Sequence, residues 1–240
     1  MARTAGRGPG LRTERSLHAL GQTRIVGVDE VGLGALAGPV IAAAVLVLPG
    51  ARRVPGVRDS KALTPGRRAE LAAEIVARAA AVGVGAASVT EIERWNVRRA
   101  SHLAMLRALR RLPAYDHVLV DGRAIAGFAA LAGPTTAIVR GDATVYSIAC
   151  ASIVAKVVRD RLMDRLAARY PVYGWERNAG YGTPDHLAAL GLHGASVVHR
   201  RGFAPVRAVL GDPAGAEGGE QLGLDLGALP PAWTAGDPGA

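Results

Sequence analysis

The chain has 240 residues and a single cysteine, Cys150. That excludes an internal disulfide framework and fits a reducing cytoplasm. Lysine is scarce as well: only Lys61 and Lys156 occur, so nearly all the positive charge is arginine. No uninterrupted apolar run of bilayer length is present. Val31 to Ala51 carries no charge, but glycines 32, 34, 38 and 50 and prolines 39 and 49 break it. Its continuous apolar part, Val40–Leu48, has the length of a buried strand, not of a spanning helix. Asp29 and Glu30 stand where a signal peptide would carry basic residues. Membrane and secretory classes are therefore set aside.

What remains is a basic globular composition: 50% apolar and 20% charged, with 29 Lys+Arg against 20 Asp+Glu. The net charge of +9 points to a polyanionic partner. Five acids and no Lys or Arg lie in residues 212–240, which are rich in Gly, Ala and Pro and read as a disordered tail. Without those five negative charges a chain of net +9 becomes +14 over residues 1–211. Residues 1–23 read as a basic, mostly disordered segment with a short helix over Thr13–Leu20.

Between these ends the pattern alternates. Strands are expected at Arg24–Val28, Val40–Leu48, Val82–Ser88, His117–Val120 and Thr135–Val139. Helices are expected over Arg67–Val82, Thr90–Leu112 with a break near Asn96, Val145–Arg169, and briefly after Thr183-Pro184-Asp185. Leu71, Ile75, Val76 and Ala79 are expected on the inner face of the first of these. The order argues for an α/β fold, a mixed sheet with helices packed against it, over residues 24–211.

Carboxylates recur at strand ends: Asp29-Glu30, Asp121 and Asp142. Ligand sites of α/β sheets collect there. Acids at strand ends are also ordinary turn residues. If the strands are neighbours, however, four carboxylates meet and repel unless divalent metal joins them. Oxygen ligands without His or Cys select Mg²⁺ or Mn²⁺. Two such ions can activate water and stabilise the leaving oxygen of a phosphodiester. The glycines at 32, 34 and 38 do not make a dinucleotide loop: the third is one place late, and Pro39 and a strand follow where a helix should begin.

These residues resemble the type 2 ribonucleases H, specifically the bacterial ribonuclease HII family, from about Val26 to Leu210. The resemblance rests on Gly27-Val28-Asp29-Glu30-Val31-Gly32 with Gly38-Pro39-Val40, on Asp59-Ser60-Lys61, and on Asn96-Val97. Val120-Asp121-Gly122, Arg140-Gly141-Asp142 and Ala151–Val157 with Arg159-Asp160 continue it. Gly180-Tyr181-Gly182-Thr183 with His186, then Arg201–Val206, complete it in family order. It implies a ribonuclease H-like five-stranded sheet with a small C-terminal helical part. It implies hydrolysis of RNA in RNA–DNA hybrids and incision 5′ of single ribonucleotides in duplex DNA, as in ribonucleotide excision repair, by a monomer. It places four catalytic, metal-binding acids at Asp29, Glu30, Asp121 and Asp142 with two Mg²⁺ or Mn²⁺ ions. Gly32, Leu33, Gly34, Ser60, Lys61 and Tyr181 would contact substrate, Tyr181 by stacking on a sugar.

Two positions depart from the family pattern. Leu33 replaces a basic residue between the loop glycines, and Gly202 replaces a serine. They motivate the alternative of a hybrid-binding protein that does not cut. In the tail, Gln221-Leu222-Gly223-Leu224-Asp225-Leu226 resembles the hexapeptide that docks on the DNA polymerase sliding clamp, with Gln221, Leu222, Leu224 and Leu226 as its contacts.

Overall fold

A computed structural model describes residues 8–211. Helix α1 (Arg12–Ala19) precedes strands β1 (Ile25–Val31) and β2 (Val40–Val47). Helix α2 (Pro65–Arg78), strand β3 (Ala81–Ala87) and helix α3 (Val89–Leu109) follow. Then come β4 (His117–Asp121), α4 (Phe128–Ala132), β5 (Thr135–Ile138), α5 (Gly141–Thr144) and the long α6 (Tyr146–Arg169). Short helices α7 (Trp175–Asn178), α8 (Pro184–His193) and α9 (Ala204–Val209) form the C-terminal helical part.

The five strands make one sheet in the order β3-β2-β1-β4-β5. The β1–β2 and β2–β3 pairs are antiparallel; β1–β4 and β4–β5 are parallel. Every residue of β2 is buried, as expected of a strand covered on both faces. Alternation divides it: Ile41, Ala43, Val45 and Val47 join the cluster under α2 and α6, and Val40, Ala42, Ala44 and Leu46 join the one under α3. Helix α6 reaches the sheet at Gly27, where an added Cβ would lie 2.2 Å from the Ser147 carbonyl carbon. Only a residue without a side chain admits that approach.

Each of the expected strands and long helices is present, and α3 does break at Asn96 (φ 62°), whose side chain caps the amides of Arg98 and Arg99. Two expectations are corrected. Val76 is 55% exposed, and Arg68, Leu71, Ala72 and Ile75 form the inner face of α2 instead. At 100° per residue Val76 lies well round the helix from Leu71. The second correction concerns residues 8–23, which pack on the domain. Gly10 bridges to Val145, and the buried Glu14 carboxylate accepts the Ser147 amide at 2.8 Å. Glu14 thereby caps α6, whose own flanking residue Val145 offers no capping side chain. The tail hexapeptide lies outside the described residues. Among those residues no helix is long and apolar enough to cross a membrane.

Candidate active site

Strands β1 and β4 run parallel with Val28 opposite Val120, so the next residues, Asp29 near the end of β1 and Asp121 at the end of β4, lie side by side. Asp121 is paired in turn with Ile138 of β5, and three residues beyond that strand α5 begins with Asp142 in its first turn. The sheet therefore gathers all four expected acids at the carboxyl ends of its three parallel strands. Asp121 Oδ1 accepts the Gly141 amide at 2.6 Å and ties the two acidic segments together.

Asp29, Glu30 and Asp142 are held where ionisation is costly. Asp29 is buried, and that burial, with Glu30 and Asp121 beside it, raises its pKa well above the ordinary value. A Ser152 hydroxyl and the Glu30 amide, which donates to Asp29 Oδ1 at 2.8 Å, partly offset the rise. Burial and Asp121 push Glu30 up to about 7, and its Oε2 is buried without a hydrogen-bond partner. Asp142 is raised by burial, Asp121 and Asp59, and Lys61 opposes the rise in both Glu30 and Asp142.

This donor set fits hard divalent cations. All the donors are carboxylates, they repel one another, and one oxygen has no partner. Among the described residues no three side chains close on a single point as a ready ligand cluster. Adjacent strand residues alternate faces, so Asp29 and Glu30 approach the site from different sides. Mg²⁺ needs no such cage, since it takes one or two carboxylates and completes its shell with water and substrate phosphate.

Around the acids lie the other expected residues. Ser60 is buried, and its hydroxyl meets Ser152 at 3.1 Å. It thus supports the serine that reaches Asp29. Lys61 is exposed on the same 3₁₀ turn, Ser60–Ala62. Leu33 packs its side chain against the apolar cluster under α3, whereas Gly34 is exposed. Tyr181 is half-buried, with the Arg159 guanidinium 5.3 Å and the Lys156 ammonium 5.9 Å from its ring centre.

Sequence reading missed what fixes these loops. Arg200 is fully buried and donates to the carbonyls of Gly38, Gly32 and Leu33 at 2.8, 2.6 and 3.2 Å. In a trans peptide the N–H opposes the C=O. Drawing the Gly32 and Leu33 carbonyls inward therefore turns the Leu33 and Gly34 amides outward. Arg159, also fully buried, donates to Pro39, Ala179 and Ala37 carbonyls. Its atoms fill the space a side chain at Gly32 (φ 98°) would need, with Nε 2.4 Å from such a Cβ. Arg159 was noted only as part of a motif and Arg200 not at all, because an arginine in a sequence reads as surface. Of the histidines, His186 is buried and holds the Tyr181 carbonyl through Nδ1 at 2.9 Å.

Comparison with known proteins gives the family. Residues 26–206 match the family model described as Ribonuclease HII. The chain is 53% identical over 190 residues to the ribonuclease HII of Thermosynechococcus vestitus, covering 79% of this chain and 88% of that protein. It is 50% identical over 202 residues to the ribonuclease HII of Geobacillus thermodenitrificans, covering 84% and 76%. Among solved structures it resembles the ribonuclease H2 of Pyrococcus horikoshii, with a TM-score of 0.67 at 26% identity over 78% of this chain and 96% of that one. It also resembles the RNase HII of Archaeoglobus fulgidus, solved in complex with PCNA, with a TM-score of 0.63 at 26% identity over 73% and 91%. The chain belongs to the ribonuclease HII family and is a metal-dependent endoribonuclease of the ribonuclease H type.

Proposed function

We propose that the enzyme hydrolyses the RNA strand of RNA–DNA hybrids and incises 5′ of single ribonucleotides embedded in duplex DNA, leaving 3′-hydroxyl and 5′-phosphate ends. The observation that carries this reading is the juxtaposition of the four acids with outward-facing amides at Leu33 and Gly34. Two successive amides pointing the same way form a concave donor pair for an oxygen-bearing group. A ribose 2′-hydroxyl is the group that distinguishes RNA from DNA there. The donors are backbone, so Leu33 in place of a basic residue does not remove them.

Asp29, Glu30, Asp121 and Asp142 are the residues that would hold two Mg²⁺ or Mn²⁺ ions. When bound, such ions supply Lewis acidity at both the attacking and the leaving oxygen of an in-line phosphodiester hydrolysis. The chain's own groups do the rest. Lys61, exposed beside Glu30 and Asp142, holds a substrate phosphate against the acids. Tyr181, its ring backed by Arg159, stacks on the neighbouring sugar and sets the position of the strand. Ser60 and Ser152 keep Asp29 oriented.

We place the enzyme in the cytoplasm as a monomer engaged in ribonucleotide excision repair. The Archaeoglobus fulgidus relative was solved with PCNA. By analogy the tail contacts Gln221, Leu222, Leu224 and Leu226 serve docking on a sliding clamp. A pull-down on the clamp tests this, and equal retention of a protein with Leu224→Ala and Leu226→Ala ends it.

Cleavage of a DNA duplex carrying one ribonucleotide, beside a full RNA–DNA hybrid, tests the main reading with Mg²⁺, Mn²⁺ or EDTA. Metal-dependent incision 5′ of the ribonucleotide, lost in Asp142→Asn, is expected. Cutting of the long hybrid alone refutes junction recognition, and binding without cutting of either refutes the catalytic reading.

A further inference from the structure

A second concave surface lies off the catalytic acids. Helix α1 and the segment after β2 enclose a cleft of about 880 Å³ lined by Arg15, His18, Arg52, Arg53, Arg58 and Arg67. Among the described residues no aspartate or glutamate lines it. Arg67 is neutralised by Glu70 at 2.8 Å, and Arg53 is spent on the Pro9 carbonyl at 3.0 Å. Arg15, Arg52 and Arg58 are exposed, and their side chains have no hydrogen-bond or ion-pair partner among the described residues. Arg78 with Glu74 and Arg177 with Glu176 show how an arginine on this surface is compensated where an acid lies beside it. Three uncompensated cations converging on one cleft raise a positive potential that low-dielectric walls focus.

The cleft also has a fixed relation to the chemistry. Arg58 and Leu63 line it from either end of the 3₁₀ turn Ser60–Ala62, while Lys61 on that turn acts on Glu30 and Asp142. One face of the turn thus belongs to the acids and the other to the cleft. Lys61 is three positions on from Arg58, a backbone span of at most about 11 Å. A nucleic-acid strand advances about 3.4 Å per nucleotide, so that span corresponds to about three nucleotides.

We propose that this cleft is a phosphate-binding track that holds the duplex flank beyond the cleaved bond, with Arg15, Arg52 and Arg58 as its contacts. It rests on the reading of the acids as the cutting site and adds a substrate region remote from them. The track reads no bases. It neutralises backbone charge, and it engages only substrates long enough to reach it.

The experiment uses the full chain with Asp142→Asn, so that binding is measured without cutting. Single-ribonucleotide duplexes with flanks of about 2 or about 12 base pairs on either side are titrated at several salt concentrations, with and without Arg15→Gln, Arg52→Gln and Arg58→Gln together. On the duplex with the long flank on the tracked side, the triple substitution is expected to weaken binding about tenfold or more. There the slope of log K against log salt should flatten by about 2 to 3, the count of lost phosphate contacts. On the short duplex both proteins should bind alike. Equal weakening at all lengths would overturn the track in favour of a general field of charge, and no weakening at any length would remove it. Saturable binding of inorganic triphosphate that depends on the three arginines, without any flank-length effect, would instead assign the cleft to a free polyphosphate and overturn the proposal. Failure of the cutting reading is seen separately, as absence of cleavage by the unsubstituted protein.

Discussion

The Arg200 guanidinium lies 2.6 Å from the Gly32 carbonyl oxygen, across 168 positions of sequence, with no carboxylate among its hydrogen-bond partners. Burial and the nearby Arg159 lower its pKa to about 9, and its second terminal nitrogen has no partner. A buried cation satisfied only by carbonyls orients those carbonyls strongly.

Replacing Arg200 by Met should therefore cost more than packing. A loss of stability of about 2–4 kcal/mol is expected, since three buried carbonyls lose their donor. Arg200→Lys keeps the charge but not the fork that reaches Gly38 and Gly32 together. In the Asp142→Asn background it should reduce the preference for a ribonucleotide-bearing duplex over all-DNA. An unchanged preference would show that Arg200 does not set the loop amides.

Glu30→Gln should abolish cleavage and yet raise the melting temperature of the metal-free protein. Its folded pKa of about 7 exceeds the ordinary 4.5, so its stabilising share is complete below 4.5 and is lost as pH rises through 7. The gap between the Gln variant and the parent should open between pH 4.5 and 7 and close when Mg²⁺ is added. A gap that ignores pH would contradict the repulsion.

The histidine pair behaves oppositely. His199 Nδ1 accepts the Ser196 amide at 2.9 Å, so its proton sits on Nε2 and is given to His186 Nε2 at 3.1 Å. The same His186 nitrogen accepts from Trp175 at 3.1 Å, leaving Nδ1–H for the Tyr181 carbonyl. Both rings are thus held neutral. Burial and His186 depress His199 from 6.5 to about 4. Its contribution is present above pH 6.5 and lost as pH falls through 4, amounting to about 3 kcal/mol at most. Denaturant titrations of the parent and His199→Gln across that window should diverge with this sign.

Glu14→Ala removes the cap that Ser147 receives from another helix. A loss of about 1–2 kcal/mol is expected, or about 2–6 °C in thermal unfolding. Glu14→Gln, which can still accept the amide, should recover most of it. Equal losses in both would point to charge, not the hydrogen bond.

The sheet was legible because its strands are apolar runs covered on both faces, and the acids were legible because they end those runs. Val76 was misplaced because a stripe of apolar residues was read too broadly around α2. Helices α4, α5, α7 and α9, at four to six residues, are too short for a periodic signal. Residues 8–23 are held by partners far along the chain, Asp116 for Thr23 and Ser147, 133 positions away, for Glu14. Arg159 and Arg200 were hidden for the same reason: a guanidinium enclosed by carbonyls is a tertiary fact, and nothing in its neighbours along the chain announces it. The Ser60–Ser152 hydroxyl pair, 92 positions apart, is likewise visible only in the fold.

The glycine loop and the tyrosine loop are stitched together. Ala35 and Tyr181 form an antiparallel bridge, Leu36 donates to the Gly180 carbonyl at 2.8 Å, and Arg159 grips both segments. The gap between the outward amides and the tyrosine ring is thereby a gauge of fixed width. In the proposed function a single sugar would be sized against that rigid caliper, and a nucleotide would be accepted or refused by fit before any bond is broken.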